Sequence, residues 1–257
     1  MLASLSLFTV LVAPSTAQSW GAFQNPVGIK SISALENTLW IVDPANKFAW
    51  WDGFAFSYSW GGGGFQVAQG MDGSAWGLVK QDPPATSCCV TYSFWRRTTS
   101  PPWKELSSPD CDPLLSISPK NLTYALAASL SNKIYKFGDN GRWEQMPGSA
   151  ISVSTTKDAN IDNWIVGVDQ KIYHWDYNQA NGQWRWVIRP GANAVQVDAY
   201  SANRVLMLNG AGEIFAWSNN NWVKLAFNGV ASQVAIGKSF IYALRKDTGQ
   251  AFFAYYP

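Results

Sequence analysis

The side chains best placed to do chemistry in this 257-residue chain are polar groups in turns, set beside aromatic rings. Asp43 and Asn46, Asp169 and Gln170, and Asn209 and Glu213 form three such groups, with Trp50 and Trp186 as rings able to stack on a ligand. Lys80 and Asp82, Asn132, and Lys246 and Asp247 fall in corresponding turns. A flat apolar surface with convergent donors and acceptors is how a site holds a polyhydroxylated ligand. Catalysis is harder to build. A single histidine, His174, excludes a His-rich metal centre, and no Gly-x-Ser-x-Gly elbow accompanies it to make a nucleophilic triad. Two of Asp43, Asp82, Asp169 and Glu213 would have to converge in contrasting surroundings for glycoside hydrolysis, and no spacing singles out a pair. The glycine run at 61–64 lacks the Lys-Ser/Thr of a phosphate loop. The expectation is a binding protein with no catalytic residues, no metal and no cofactor.

These turns belong to a repeat. Residues 133–153 read Lys-Ile-Tyr-Lys-Phe, Asp-Asn-Gly, Arg-Trp-Glu-Gln-Met-Pro-Gly, then Ala-Ile-Ser-Val. The same order of parts returns at Lys171 to Trp175 with Trp184, Trp186 and Pro190-Gly191, and at Glu213 to Trp217 with Trp222 and Asn228-Gly229. Aligned on Ile32, Val67, Ile117, Val153, Val197 and Val234, the units are spaced by 35, 50, 36, 44 and 37 residues. Short aromatic and β-branched runs separated by Gly, Pro, Asn and Asp, at about 40 residues per unit, predict an all-β protein of four-stranded propeller blades. A second strand carries Trp40, Trp76, Tyr124, Trp164 and Tyr242, and a third carries Trp51, Trp95, Phe137, Trp175, Trp217 and Tyr255. Residues that recur at one position in every unit are expected to pack blade against blade. The sixth unit stops after its third strand, and residues 19–28 supply the missing fourth, so the ring is expected to close there and leave no unpaired edge at the seam.

The pattern of Ser152-Val153, Trp164-Ile165-Val166, Lys171 to Trp175 and Trp184 to Gly191 resembles the tectonin repeat. That family includes the tachylectin-1, fish-egg and mushroom tectonin lectins. The resemblance covers residues 18–257 as a single domain and implies a six-bladed β-propeller with repeated glycan sites, each weak and made useful by multivalency. Units one and two depart most, with Trp60 and the glycine run in place of a Pro-Gly bend and insertions around residues 81–89 and 107–113. The alternative is an extracellular propeller that binds proteins in defence or in a surface coat.

Composition narrows the partners. The chain has 15 Trp, 10 Tyr and 13 Phe, only 14% charged residues, and a net charge of +2 with no block of Lys or Arg, which gives no footprint for nucleic acid. Residues 1–17 hold a short apolar run, then Pro14 and a small-residue site at Ser15-Thr16-Ala17, and read as a secretory leader too short to span a bilayer. A secreted chain with no membrane insertion is expected. In that oxidising setting either Cys88 or Cys89 is expected to bond Cys111, and Asn121-Leu122-Thr123 is a glycosylation sequon.

Overall fold

The computed structural model describes residues 19–23, 27–36, 38–51, 56–61, 63–80, 92–97, 104–106, 109, 112–121, 123–158, 162–191 and 193–256, and no α-helix occurs among them. The expected leader and all three cysteines lie outside the described residues. The strands are short because each apolar run is cut by a turn, and a hairpin that small gains stability only by stacking on a neighbour.

Strand β1 (Gly21–Ala22) stands apart in sequence from the blade it completes. The first blade is β2 (Ser31–Leu35), β3 (Thr38–Val42), β4 (Lys47–Trp51) and β5 (Phe56–Gly61). The second is β6 (Gly64–Gln69), β7 (Ala75–Lys80), β8 (Tyr92–Arg97) and β9 (Lys104–Leu106). Next come β10 (Leu114–Pro119), β11 (Ala125–Ser129), β12 (Lys133–Phe137), β13 (Trp143–Thr155), β14 (Asn163–Gly167), β15 (Ile172–Asn178) and β16 (Gln183–Arg189) in one seven-stranded sheet. That sheet is two blades joined. Strand β13 pairs with β12 through Trp143 to Ser149 and with β14 through Ala150 to Thr155. The sequence predicts a bend at Pro147-Gly148; the chain instead runs on as one strand, with Gly148 at φ 100° taking up the kink. The fifth blade is β17 (Ala194–Ser201), β18 (Arg204–Asn209), β19 (Ile214–Ser218) and β20 (Asn221–Lys224). The sixth is β21 (Ala231–Ile236), β22 (Phe240–Arg245), β23 (Ala251–Tyr255) and, from the other end of the chain, β1.

All strands pair antiparallel with their sheet neighbours, and β2, β6, β10, the second half of β13, β17 and β21 touch in turn until β21 meets β2. The described residues therefore form a closed β-propeller of six four-stranded blades. Closure falls where the sequence places it. Gly21 pairs with Phe253 and Ala22 with Phe252, and the Trp20 indole donates to the Ala226 carbonyl at 2.6 Å.

The core is a set of layers between blades. Trp76 and Leu78 of the second blade pack with Ile117, Ala127 and Tyr135 of the third, and Trp164 and Val166 of the fourth with Val197, Val205 and Trp217 of the fifth. Each such side chain contributes about 1.5–3 kcal/mol on leaving water. The recurrent second-strand residues Trp40, Trp76, Trp164 and Tyr242 are buried, as repeated packing positions should be. Tyr255, at the matching third-strand position of the sixth blade, is instead 62% exposed.

A hydrogen-bond ladder ties the innermost strands together. Backbone N–H groups of one inner strand donate to side chains of the preceding one: Val67 and Gln69 to Ser31 and Ser33, Val153 and Thr155 to Ser116 and Ser118, Val197 and Ala199 to Ser152 and Ser154. Val234 and Ile236 donate likewise to Gln196 and Asp198, and Ile32 closes the circle on Gln233. Between blades two and three the ladder is interrupted. Ala68 stands where an acceptor would be and Pro119 where its donor would be, and Gln66 Oε1 at the neighbouring rung is buried without a hydrogen-bond partner among the described residues.

Candidate functional site

In each sheet the start of the inner strand pairs with the end of the second strand, as Leu114 does with Ser129, Ala194 with Asn209 and Ala231 with Arg245. The turns joining second and third strands therefore share one face of the ring with the blade-to-blade connections. Asp43, Asn46, Asp169, Gln170, Asn209 and Glu213 lie on this face in three different blades, as do Asn132, Lys246 and Asp247 in matching turns of two others, and Asp82 lies outside the described residues.

Asp43 is 6% exposed and accepts the Lys47 N–H through Oδ1 at 2.8 Å. Asn46 has φ 62° and its Oδ1 accepts from Lys30 Nζ at 2.5 Å. Gln170 has φ 63°, and Asp169 accepts the Lys171 N–H and, at 2.7 Å, the Tyr173 hydroxyl. That hydroxyl, first, holds the Asp169 carboxyl below the usual carboxylate range, while accepting it keeps the Tyr173 phenol protonated to higher pH. Asn209 Oδ1 accepts the N–H groups of Ala211 and Glu213, and its Nδ2 donates to Glu213 at 2.7 Å. Glu213 also pairs with Lys224 at 2.5 Å, and that contact holds its carboxyl low.

Left-handed backbone explains why these residue types recur. Asn46, Asn132, Gln170, Gly212 and Gly249 all have positive φ just before the third strand, a conformation that Asn and Gly tolerate best. Their carbonyls then accept the N–H of Gly64, Ala150, Ala194, Ala231 and Ile29, each at the entry to the next blade. At Gly212 a Cβ would lie 2.3 Å from the Val230 side chain and 2.8 Å from the Ala231 carbonyl, so side chain and twist are excluded together. Among the sequence candidates, Asn46 and Gln170 thus join one blade to the next through their backbone carbonyls.

The two candidate tryptophans pack between blades. Trp50 lies 5.3 Å from Trp40 against Val42, Phe48 and Val67. Trp186 donates its indole N–H to the Pro147 carbonyl at 2.8 Å and sits on Gly148, and the Trp222 ring lies over Gly191. The Pro-Gly bends of the repeat are thus the seats of tryptophans from the following blade. Asn121 accepts through Oδ1 from Thr123 and Tyr124, an ordered turn on the opposite face.

What the sequence did not single out is the mouth of the central channel. A cavity of about 390 Å³ opens there, entered past Lys30, Phe65, Leu115, Ile151, Val195 and Ser232 at the start of the six inner strands. Leu115 is 40% and Val195 37% exposed, and Leu130, Val168 and Val230 stand out from neighbouring turns of the same face at 51%, 53% and 47%. Deeper walls carry the ladder serines with Gln66, Gln196 and Gln233, and Lys157 lies at the far end, buried and paired with Asp198 at 2.9 Å. A signal existed in the positions two before Ile32, Val67, Ile117, Val153, Val197 and Val234, since those are the mouth residues.

His174 is buried in the fourth blade beside Trp164, with ring nitrogens facing Asp176 and, at 3.4 Å, Asp162. Arg189 braces Asp176 at 2.7 Å. The contact with His174 holds the Asp162 carboxyl low. The described residues contain no cluster able to hold a metal.

Fold and face together define a β-propeller with an open channel mouth lined by apolar side chains. The WD40 repeats of RRP9 align over 95% of this chain and 98% of theirs with a TM-score of 0.62 at 7% identity. YCF48 bound to D1 peptide aligns over 89% and 77% with 0.55 at 14% identity. Human WBSCR16 aligns over 79% of this chain with 0.52 at 15% identity, and the chain spans 65% of that protein's length. At such identities the likeness shows the fold alone. No family model and no curated protein matches the chain, so the tectonin resemblance rests on the repeat pattern.

Proposed function

We propose that this chain is a secreted, non-catalytic propeller that binds segments of other proteins on the ring face bearing the channel mouth. The observation that carries this reading is the apolar collar of half-buried Phe65 and Ile151 and exposed Leu115 and Val195, with exposed Leu130, Val168 and Val230 beyond it. Contiguous apolar surface on a soluble protein is where partners dock, and an apolar centre within a polar surround is the usual composition of such an interface. Glycan binding at the sequence candidates is less favoured, because Asp43, Asp169, Asn209 and Glu213 already have partners in their own turns. The YCF48 structure with D1 peptide is in keeping with a peptide-binding use of a similar scaffold. Secretion rests on the leader-like residues 1–17 and the sequon at Asn121.

One observation favours glycans as a second reading. On the outer hairpin of blade four, Trp184 is 54% and Tyr177 51% exposed, with ring centroids 5.4 Å apart, and Trp175 stacks parallel to Trp184 at 6.4 Å. Such a ladder could take the apolar face of a sugar. Panning a linear dodecapeptide display library and probing a glycan array, each with wild type, Leu115→Asp/Val195→Asp and Trp184→Ala, separates the two. Peptide capture lost only in the Leu115/Val195 variant is expected. Glycan capture lost in Trp184→Ala, with no peptide retained, replaces the protein-binding reading with the lectin one.

A further inference from the structure

The six residues at the channel mouth are not alike around the circle. Blades two to five contribute Phe65, Leu115, Ile151 and Val195, an unbroken apolar arc, whereas blade one contributes Lys30 and blade six Ser232. Lys30 is exposed, and its ammonium donates to the neutral Asn46 side chain, leaving its charge uncompensated by any carboxylate in an ion pair. Its neighbours strengthen the field. Lys47 in the first-blade turn and Lys246 in the sixth-blade turn are exposed and form no ion pair with any described residue, and the turn holding Lys246 abuts the segment before Lys30 through the Gly28 and Ile29 N–H groups, which bond Thr248 and Gly249. Acidic groups of this sector are engaged: Asp43 is buried in its turn and Asp247 pairs with Arg245 at 2.8 Å.

Resting on the protein-binding reading, we infer that the occupant of the mouth is a protein segment carrying an apolar side chain next to a carboxylate. The apolar side chain lies against the arc from Phe65 to Val195, and the carboxylate, of Asp, Glu or a chain terminus, lies on Lys30. The arc offers no hydrogen-bonding side chain and the cationic sector no apolar one, so a ligand of a single character would satisfy only half of the circle. A carboxylate on a lysine at a partly desolvated rim makes a charge-assisted hydrogen bond, which sets orientation as much as affinity.

The test uses linear dodecapeptides selected on the whole chain, synthesised singly and measured by fluorescence anisotropy. Selected sequences are expected to share Leu, Ile, Val or Phe within two residues of Asp or Glu. Replacing that acid by its amide should weaken binding about fivefold in wild type and not at all in Lys30→Gln, while Leu115→Ala should weaken it about tenfold. Lys30→Gln should melt as wild type does, since the lysine is exposed and bonded only to Asn46. Peptides that need Leu115 but show no acid, or whose acid is as important in Lys30→Gln, overturn the inference and leave the protein-binding face standing. Recovery of no peptide, or titration of Lys30 only by heparin oligosaccharides or phosphatidylserine vesicles, overturns both.

Discussion

Ser154 is fully buried and belongs to two blades at once. Its Oγ accepts the Ala199 N–H at 2.8 Å and donates to Asp198 at 3.1 Å. In Ser154→Ala the Ala199 N–H, with Ala199 also fully buried, has lost its acceptor, and Asp198 keeps Lys157 and the Ile236 N–H but loses one donor. A buried backbone group left unpaired costs about 1–3 kcal/mol, and removing the hydroxyl leaves a void too small for water to repair. Taking about 2 kcal/mol, a domain of this size should melt roughly 4–8 °C lower. Ser152 makes the neighbouring contact at 3.3 Å, longer and weaker, so adding Ser152→Ala should cost about 1 kcal/mol more. Thermal and urea unfolding followed by circular dichroism, with exposed Ser218→Ala as the reference, measure this. A Ser154→Ala shift no larger than that of Ser218→Ala would refute the ladder as a source of stability.

Three other outcomes follow from the same contacts. Removing residues 19–23 deletes Trp20 and β1, leaves β23 an open edge, and should lower the melting temperature by at least 10 °C while promoting self-association, visible by light scattering. Trp186→Ala should cost about 2–3 kcal/mol in urea unfolding, less than a fully buried tryptophan, and leave the number of ligands bound per chain unchanged in calorimetry. Burial pushes the Tyr242 phenol up to about 12. A phenol whose folded value lies above its unfolded one supports the fold fully below about pH 10 and loses that contribution as pH rises through 12. Stability should therefore fall over that interval, and in Tyr242→Phe the alkaline loss should be smaller, as read from unfolding curves at pH 9 to 12.

Propeller class, blade count, seam and packing aromatics were legible in the sequence because they repeat, and a repeated apolar residue at a fixed place has one common cause. Ile32, Val67, Ile117, Val153, Val197 and Val234 each fall in an inner strand. The polar turn residues repeat for a backbone reason as well. Asn46 and Gln170 recur because the turn demands positive φ, and that constraint selects the residue types a ligand site would also select. The residues flanking each inner-strand anchor, as in Ser31-Ile32-Ser33 and Ser152-Val153-Ser154, carried the ladder in plain view, but a serine gives no sign in sequence of which neighbouring strand it will serve. The mouth was hidden because it is assembled from six separate stretches, one residue from each, of which four form the apolar arc.

The seam has a mechanical consequence. Strand β1 is two residues long and attached to β23 by two register pairs, while β13 welds blades three and four with thirteen residues of continuous backbone. Pulled at its amino end, the chain would shear at its shortest zipper first, shedding β1 and Trp20 before any blade tears. The ring would then spring into an open spiral whose middle is stiff and whose ends are loose. A tether fixed to the amino end would make this protein a tension gauge with its breaking point set by Trp20, Phe23 and the two pairs of β1, whereas a tether fixed to blade three or four would meet the continuous backbone of β13.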